Sequence, residues 1–243
     1  MQDLSERQKE ILRSVIDEYI GTAAPVGSEK LDKKYGLGVS PATIRNEMGE
    51  LTKLGYLKQI HTSSGRTPTP LALKYYVSNL MKPRDLSVSD EVAVKEKLWN
   101  YRSEFRKTLG EATRELARRT KSLAVALDNE HNLYSAGAAN ILDMPEFYDI
   151  DLTRTVLSML DQIDYVNHLF ERAVGPEDIH ILIGDDLGES FLEPCSLVFT
   201  HFGEGKKYGG SIGIIGPYRF NYPVVIPTIR YFGNLIDEMV GNW

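Results

Sequence analysis

The chain predicts an α+β protein of two domains, and three observations carry that prediction. The first third is dense in helical-period segments that open on capping residues. From Leu123 onward short apolar strands alternate with helices, the pattern of a mainly antiparallel sheet with packed helices. Between the two, Lys82-Pro83-Arg84 interrupts the pattern, because proline disfavours helix at the residue before it. The 243 residues suffice for two modest cores. Hydrophobic residues at 42% and charged residues at 26% exclude disorder. A single cysteine leaves no internal disulfide, and no stretch has the apolar length of a membrane span or signal peptide, so a reducing cytoplasm is expected.

Ser5 with Gln8 three residues later forms a capping box, and Ile11, Leu12, Val15, Ile16, Tyr19 and Ile20 keep helical spacing to about Gly21. After Ala24-Pro25-Val26-Gly27, Ser28 caps a short helix that turns Leu31 and Tyr35 inward and ends at Gly36. Ser40-Pro41 supplies an N-cap and a first-turn proline for a third helix, with Ile44, Met48 and Leu51 inward and Gly55 as its stop. Tyr56 to His61 reads as a strand, Ser63-Ser64-Gly65 as a turn and Arg66 to Thr69 as the return strand. Three helices followed by such a hairpin predict a winged helix-turn-helix.

Charge agrees with a nucleic-acid role for this part. The net charge is -6, but from Pro25 to Lys82 nine Lys and Arg stand against four acids, leaving the rest of the chain at -11. At about 100° per residue, the third helix turns Ala42, Asn46, Gly49 and Lys53 away from its core face, flanked by Thr43, Arg45 and Glu50. An amide and a guanidinium there can read base edges. Gly49 costs helix stability and caps nothing, so it serves either close approach to a groove or room for a neighbouring helix. The hairpin offers Arg66 and His61 to phosphate or minor groove. The candidate DNA contacts are Ser40, Thr43, Arg45, Asn46, Gly49 and Lys53, with His61, Ser63, Ser64, Arg66 and Thr67 on the hairpin.

The segments Ser40-Pro41-Ala42-Thr43-Ile44-Arg45-Asn46-Glu47-Met48 and His61-Thr62-Ser63-Ser64-Gly65-Arg66-Thr67-Pro68-Thr69 resemble the two signatures of the heat-inducible transcription repressor family, HrcA. The likeness extends through Pro25-Val26-Gly27-Ser28 and Tyr75-Tyr76-Val77. In the second half Glu146-Phe147, Ile183-Gly184-Asp185 and the run from Gly209 to Pro217 resemble that family's GAF-like regulatory domain. The resemblance implies a dimeric repressor of chaperone genes that binds double-stranded DNA at an inverted-repeat operator (the CIRCE element), is released on heat stress and is assisted by the chaperonin GroEL. Typical members carry an inserted dimerisation segment before the strand at Asn132-Leu133-Tyr134, and here Ser122 to Asp128 passes into His131 to Ala138 with room only for a short hairpin. The expected domains are 1–82 (winged helix-turn-helix), 83–122 (linker and connector helix) and 123–243 (GAF-like regulatory and dimerisation domain).

A long connector helix is expected from Ser89 to about Lys121. Its apolar positions Leu98, Phe105, Leu109, Ala112, Leu116 and Leu123 make a heptad-like seam, interrupted at Arg102 and Arg119, that a partner helix or the chain's own body would cover. A self-associating seam with two arginines would be weak and heat-labile, and replacing both with leucine would then raise the temperature of DNA release. Beyond it strands are expected at Leu123 to Asp128, Ile179 to Asp185, Leu197 to His201 and Ser211 to Ile215, with helices near Leu152 to Leu160, Tyr165 to Ala173 and Val224 to Val240.

No catalytic residue, metal or cofactor is expected. Gly210, Gly213 and Gly216 do not follow G-x-G-x-x-G, and the run from Gly203 to Lys207 lacks the P-loop order. The five histidines are scattered, and Cys195 with His201 is a weak nucleophile signal. An alternative is a ligand-sensing or enzymatic GAF-like protein that uses the winged helix for protein contacts. The third-helix residues favour DNA, and RNA lacks an aromatic platform.

Overall fold

The computed structural model describes residues 4–59, 65–172 and 178–241, and the chain divides into two compact units, Met1–Lys82 and Pro83–Trp243. In the first unit α1 (Glu6–Thr22), α2 (Ser28–Tyr35) and α3 (Pro41–Lys53) precede β1 (Leu57–Lys58), β2 (Thr67–Pro68) and α4 (Pro70–Tyr75), which continues as a π-helical turn over Tyr76–Leu80. The Ser5–Gln8 capping box opens α1, and Ser40 Oγ accepts from Thr43 N–H to open α3. Ile11, Leu12, Val15 and Ile16 of α1 are buried with Leu31, Ile44, Met48 and Leu51, the faces their spacing predicted.

Two local expectations are corrected. Ser28 does not cap α2: it is the buried first helical residue, and Gly27 is the N-cap with no side chain to offer. The hairpin strands hold two residues each, paired Leu57 with Pro68 and Lys58 with Thr67. They stay short because Arg66 commits both its N–H and its C=O to Val26, each at 2.9 Å, while Pro68 has no N–H to extend a ladder.

A buried carboxylate ties α1 to α2. Glu18 is 2% exposed and meets Lys30 and Lys34 at 2.6 Å each, and Tyr35 Oη donates to it at 3.2 Å. Hydrogen bonds from Lys30 and then Lys34 outweigh burial and hold its pKa at about 2, below the ordinary 4.5. Because the folded value is the lower one, Glu18 stabilises fully above pH 4.5, and its contribution is lost as pH falls toward about 2. Glu18→Gln should cost about 2 kcal/mol at pH 7, under the value for a fully buried pair because both lysines are half exposed. Urea unfolding of wild type and variant should differ at pH 7 and converge near pH 2; a gap independent of pH would refute the assignment.

The second unit comprises α5 (Val88–Trp99), α6 (Phe105–Thr120), β3 (Leu123–Asp128), β4 (Leu133–Ala136), α7 (Ile150–Met159), α8 (Ile163–Glu171), β5 (His180–Ile183), β6 (Cys195–Phe202), β7 (Gly210–Pro217) and α9 (Tyr222–Val240). Five antiparallel strands lie in the order β4-β3-β7-β6-β5. Leu123, Val125, Leu127, Leu197, Phe199 and Ile215 pack against α7 and α8. Gly213 faces Phe199, where a Cβ would stand 2.3 Å from Val198 O. The opposite face, with Ala124, Ala126, Val198 and Thr200, takes α6 and α9. There Gly233 lets α9 approach until a Cβ would lie 2.5 Å from Thr200 Cγ2. Between β3 and β4 the turn is short, as expected, and Asp128 Oδ1 organises it by accepting from the N–H groups of Glu130 and Asn132.

The single long connector helix is replaced by two helices. At 100–104 three-residue turns take over, with Tyr101 N–H on Leu98 O and Glu104 N–H on Tyr101 O, and Thr108 Oγ1 donates to Tyr101 O at 2.7 Å. The break lets α6 fold back on α5, so that Arg119 near the end of α6 meets Asp90 in the first turn of α5 at 2.7 Å. Leu98, Phe105, Leu109, Ala112, Leu116 and Leu123 are consequently all buried within this unit. Arg119, 13% exposed, pairs with Glu115 and Asp90, and Arg102 lies over the Trp99 ring at 4.9 Å. Of the two covers expected for the seam, the chain's own body is the one that buries it, and the half-buried Arg119 is paired rather than left to weaken a partner interface.

Candidate nucleic-acid interface

The Ser40 cap and Pro41 set the start of α3, and burial of Ile44, Met48 and Leu51 sets its rotation. Ala42, Arg45, Asn46, Glu50 and Lys53 are left exposed, with Thr43 and Gly49 half-buried. Arg45 and Asn46, adjacent on this face, make no hydrogen bond to the described residues. Lys53 pairs with Glu50 at 2.7 Å. The Ser40 hydroxyl is engaged in capping and lies 3.0 Å from Thr43 Oγ1.

Gly49 separates its two earlier readings. A Cβ built there would meet nothing within 4 Å among the described residues, so their packing does not require glycine at this helical position. Gly65 is the reverse case: a Cβ would fall 2.5 Å from the Val26 carbonyl, and only glycine lets the hairpin backbone lie against that segment.

Arg66 roots the hairpin rather than extending freely from it. Its Nε donates to Thr52 Oγ1 at 2.9 Å, and Thr52 in turn donates to Met48 O at 2.7 Å. Burial first, and then the like charge of Arg45, lower the Arg66 pKa from its ordinary value. Thr52 was not among the expected site residues; its place one turn beyond Met48 was the signal available. Thr67 leaves the candidate surface, being 4% exposed on β2 against α1. His61, Ser63 and Ser64 lie outside the described residues. Lys30 and Lys34 add positive potential but hold Glu18, whereas Lys33 is exposed.

In the second unit Cys195 and His201 do not form a nucleophile pair. Cys195 is buried, its thiol pushed up to about 12 mainly by burial. His201 lies six residues along the same strand, roughly 20 Å away at strand rise, and its Nδ1 is 2.8 Å from Ser211 Oγ. Among the described residues no group of three metal-ligating side chains occurs, and no helix is long and apolar enough to cross a membrane.

The class that the chain's relatives define is a repressor of transcription. Residues 77–226, more than half of the chain, match the family model described as HrcA protein C terminal domain, and the chain belongs to the HrcA family. It is 28% identical to the heat-inducible transcription repressor HrcA of Desulforudis audaxviator, covering 98% of each chain. It is 25% identical to that of Carboxydothermus hydrogenoformans, covering 98% of this chain and 99% of the relative. Both alignments run over 340 positions against 243 residues here, so the relatives carry residues with no counterpart in this chain. These relatives are named as repressors, not enzymes. A crystal structure of a hypothetical protein superposes with a TM-score of 0.79 at 19% identity, covering 99% of each chain, and shares the fold.

Proposed function

We propose that the chain is a sequence-specific repressor whose residues 1–82 form a winged helix-turn-helix, with α3 in the major groove of an inverted-repeat, CIRCE-like operator upstream of chaperone genes. The observation that carries this reading is the outward face of α3. Arg45 and Asn46 stand exposed with no side-chain partner among the described residues, beside a helical glycine that the packing of those residues does not demand. Arg bidentate to guanine and Asn bidentate to adenine are the pairings such a face supports, and Gly49 would let the backbone come close to the groove wall. An inverted repeat calls for a two-fold dimer, for which residues 123–243, as a GAF-like regulatory domain, are the proposed source after the connector 83–122. Release on heat stress, assistance by the chaperonin GroEL and a cytoplasmic setting complete the reading.

The test is a gel-shift series on the inverted repeat, with a scrambled duplex and varied salt as controls. Gly49→Ala sharpens it, because alanine should stabilise the helix by up to about 1 kcal/mol while weakening operator binding several-fold. A variant that is more stable and binds as tightly as wild type would remove close approach from the reading. Equal affinity for operator and scrambled DNA would remove sequence-specific repression.

A further inference from the structure

The layer formed by α7, α8 and the segments flanking them carries an apolar surface that none of the described residues covers. Leu142, Tyr148, Ile150 and Phe191 are between 53% and 72% exposed there. Ile150, Arg154 and Ser158 follow one another at four-residue steps along the outer face of α7. That face runs into a groove of about 300 Å³, whose walls include Arg154, Ser158, Met159, Tyr165, Glu189 and Leu192. Phe191, 68% exposed, precedes the lining residue Leu192 in the chain. Single exposed apolar residues need no explanation, but several large ones on one layer, with a groove opening on the same helix, mark an interaction surface.

Charge decides what fits. Residues 142–193 contain thirteen Asp and Glu, two Arg and no Lys, so this stretch alone accounts for the acidity of the chain. Asp143, Asp151, Asp161, Asp164, Glu189 and Glu193 are exposed. Both arginines are engaged, Arg154 with Asp151 at 2.7 Å and Arg172 with the carbonyl of Asp186. A second copy of the chain would set this acidic face against itself, and DNA or an anionic membrane would be repelled. We infer that the outer face of α7 and its groove dock a cationic amphipathic helix of another protein, its apolar stripe on Ile150 and Phe191 and its lysines or arginines over the surrounding carboxylates. This is the helix-in-groove mode with an electrostatic rim.

Fluorescence anisotropy on the full chain tests the assignment, with a labelled amphipathic helix of leucine and lysine and a lysine-glycine peptide of equal charge as probes. Wild type should bind the leucine-lysine helix at least tenfold more tightly than the lysine-glycine peptide. Ile150→Ser with Phe191→Ser, which removes no charge and changes only exposed positions, should remove that preference. Asp161→Lys with Glu189→Lys should weaken the leucine-lysine helix at least tenfold and gain a leucine-glutamate helix instead. Equal binding of both cationic peptides by wild type, or full binding by the serine variant, would overturn the assignment. So would a change of oligomeric state in the serine variant by sedimentation, which would give the face to a second copy.

Discussion

Arg45→Ala and Asn46→Ala should each lower operator affinity by about 1–3 kcal/mol, roughly five- to 150-fold, and relax base preference at the positions they read. Both side chains are exposed and make no hydrogen bond to the described residues, so the fold should be unaffected and the whole loss should appear in binding. Arg66→Ala is the contrast. Its Nε is tied to Thr52, so its removal loosens the root of the hairpin and should weaken operator and scrambled duplex alike. Titrations of operators substituted one base pair at a time, at two salt concentrations, separate the outcomes. If the Arg45 and Asn46 variants lose the same factor on every sequence, α3 is not the reading helix.

The other large effect lies in the body, at Glu115. It is 2% exposed and receives Lys97 at 2.7 Å, Arg119 at 2.8 Å and Arg118 as a second guanidinium. Burial alone would raise its pKa, yet hydrogen bonds from Arg118, Lys97 and Arg119 hold it at about 2. Glu115→Ala leaves three cations around an empty site, of which only Arg119 is largely buried, and should cost about 2–3 kcal/mol at pH 7. Arg119→Leu should cost about 1–3 kcal/mol, because it strips hydrogen bonds from both Glu115 and Asp90. The outcome expected from an open seam is therefore reversed: Arg102→Leu with Arg119→Leu should release DNA at a lower temperature than wild type. Urea unfolding at pH 7 and operator binding against temperature are the measurements. Wild-type stability in both single variants would show that the cluster is only a surface network.

The element order of the first unit was legible because several of its helices begin or end on a residue with a physical reason to be there, whereas the break that makes two helices of the connector carried no such signal. Ser5 and Ser40 are caps whose hydroxyls accept first-turn N–H groups, and the β3, β6 and β7 strands are apolar runs bounded by turn residues. The candidate DNA face was legible for the same reason, since helical periodicity turns Arg45 and Asn46 outward once Ile44, Met48 and Leu51 are inward. Thr67 was misread because a strand two residues long has no alternation to show which face is wet.

Local chemistry along the chain thus determined the caps, the helical faces, the strand positions and the placing of charge, with a basic first unit and an acid-rich stretch at 142–193. The tertiary structure alone decided the partners. Periodicity marks which residues need cover but not what covers them, so only the fold shows the heptad-like seam closing on its own body and Arg119 meeting Asp90. Only the fold distinguishes Gly49, with open space around its missing Cβ, from Gly213 and Gly233, whose missing side chains are occupied by a neighbouring strand or side chain. A glycine looks the same in every sequence, and the difference lies in atoms brought to it from elsewhere in the chain.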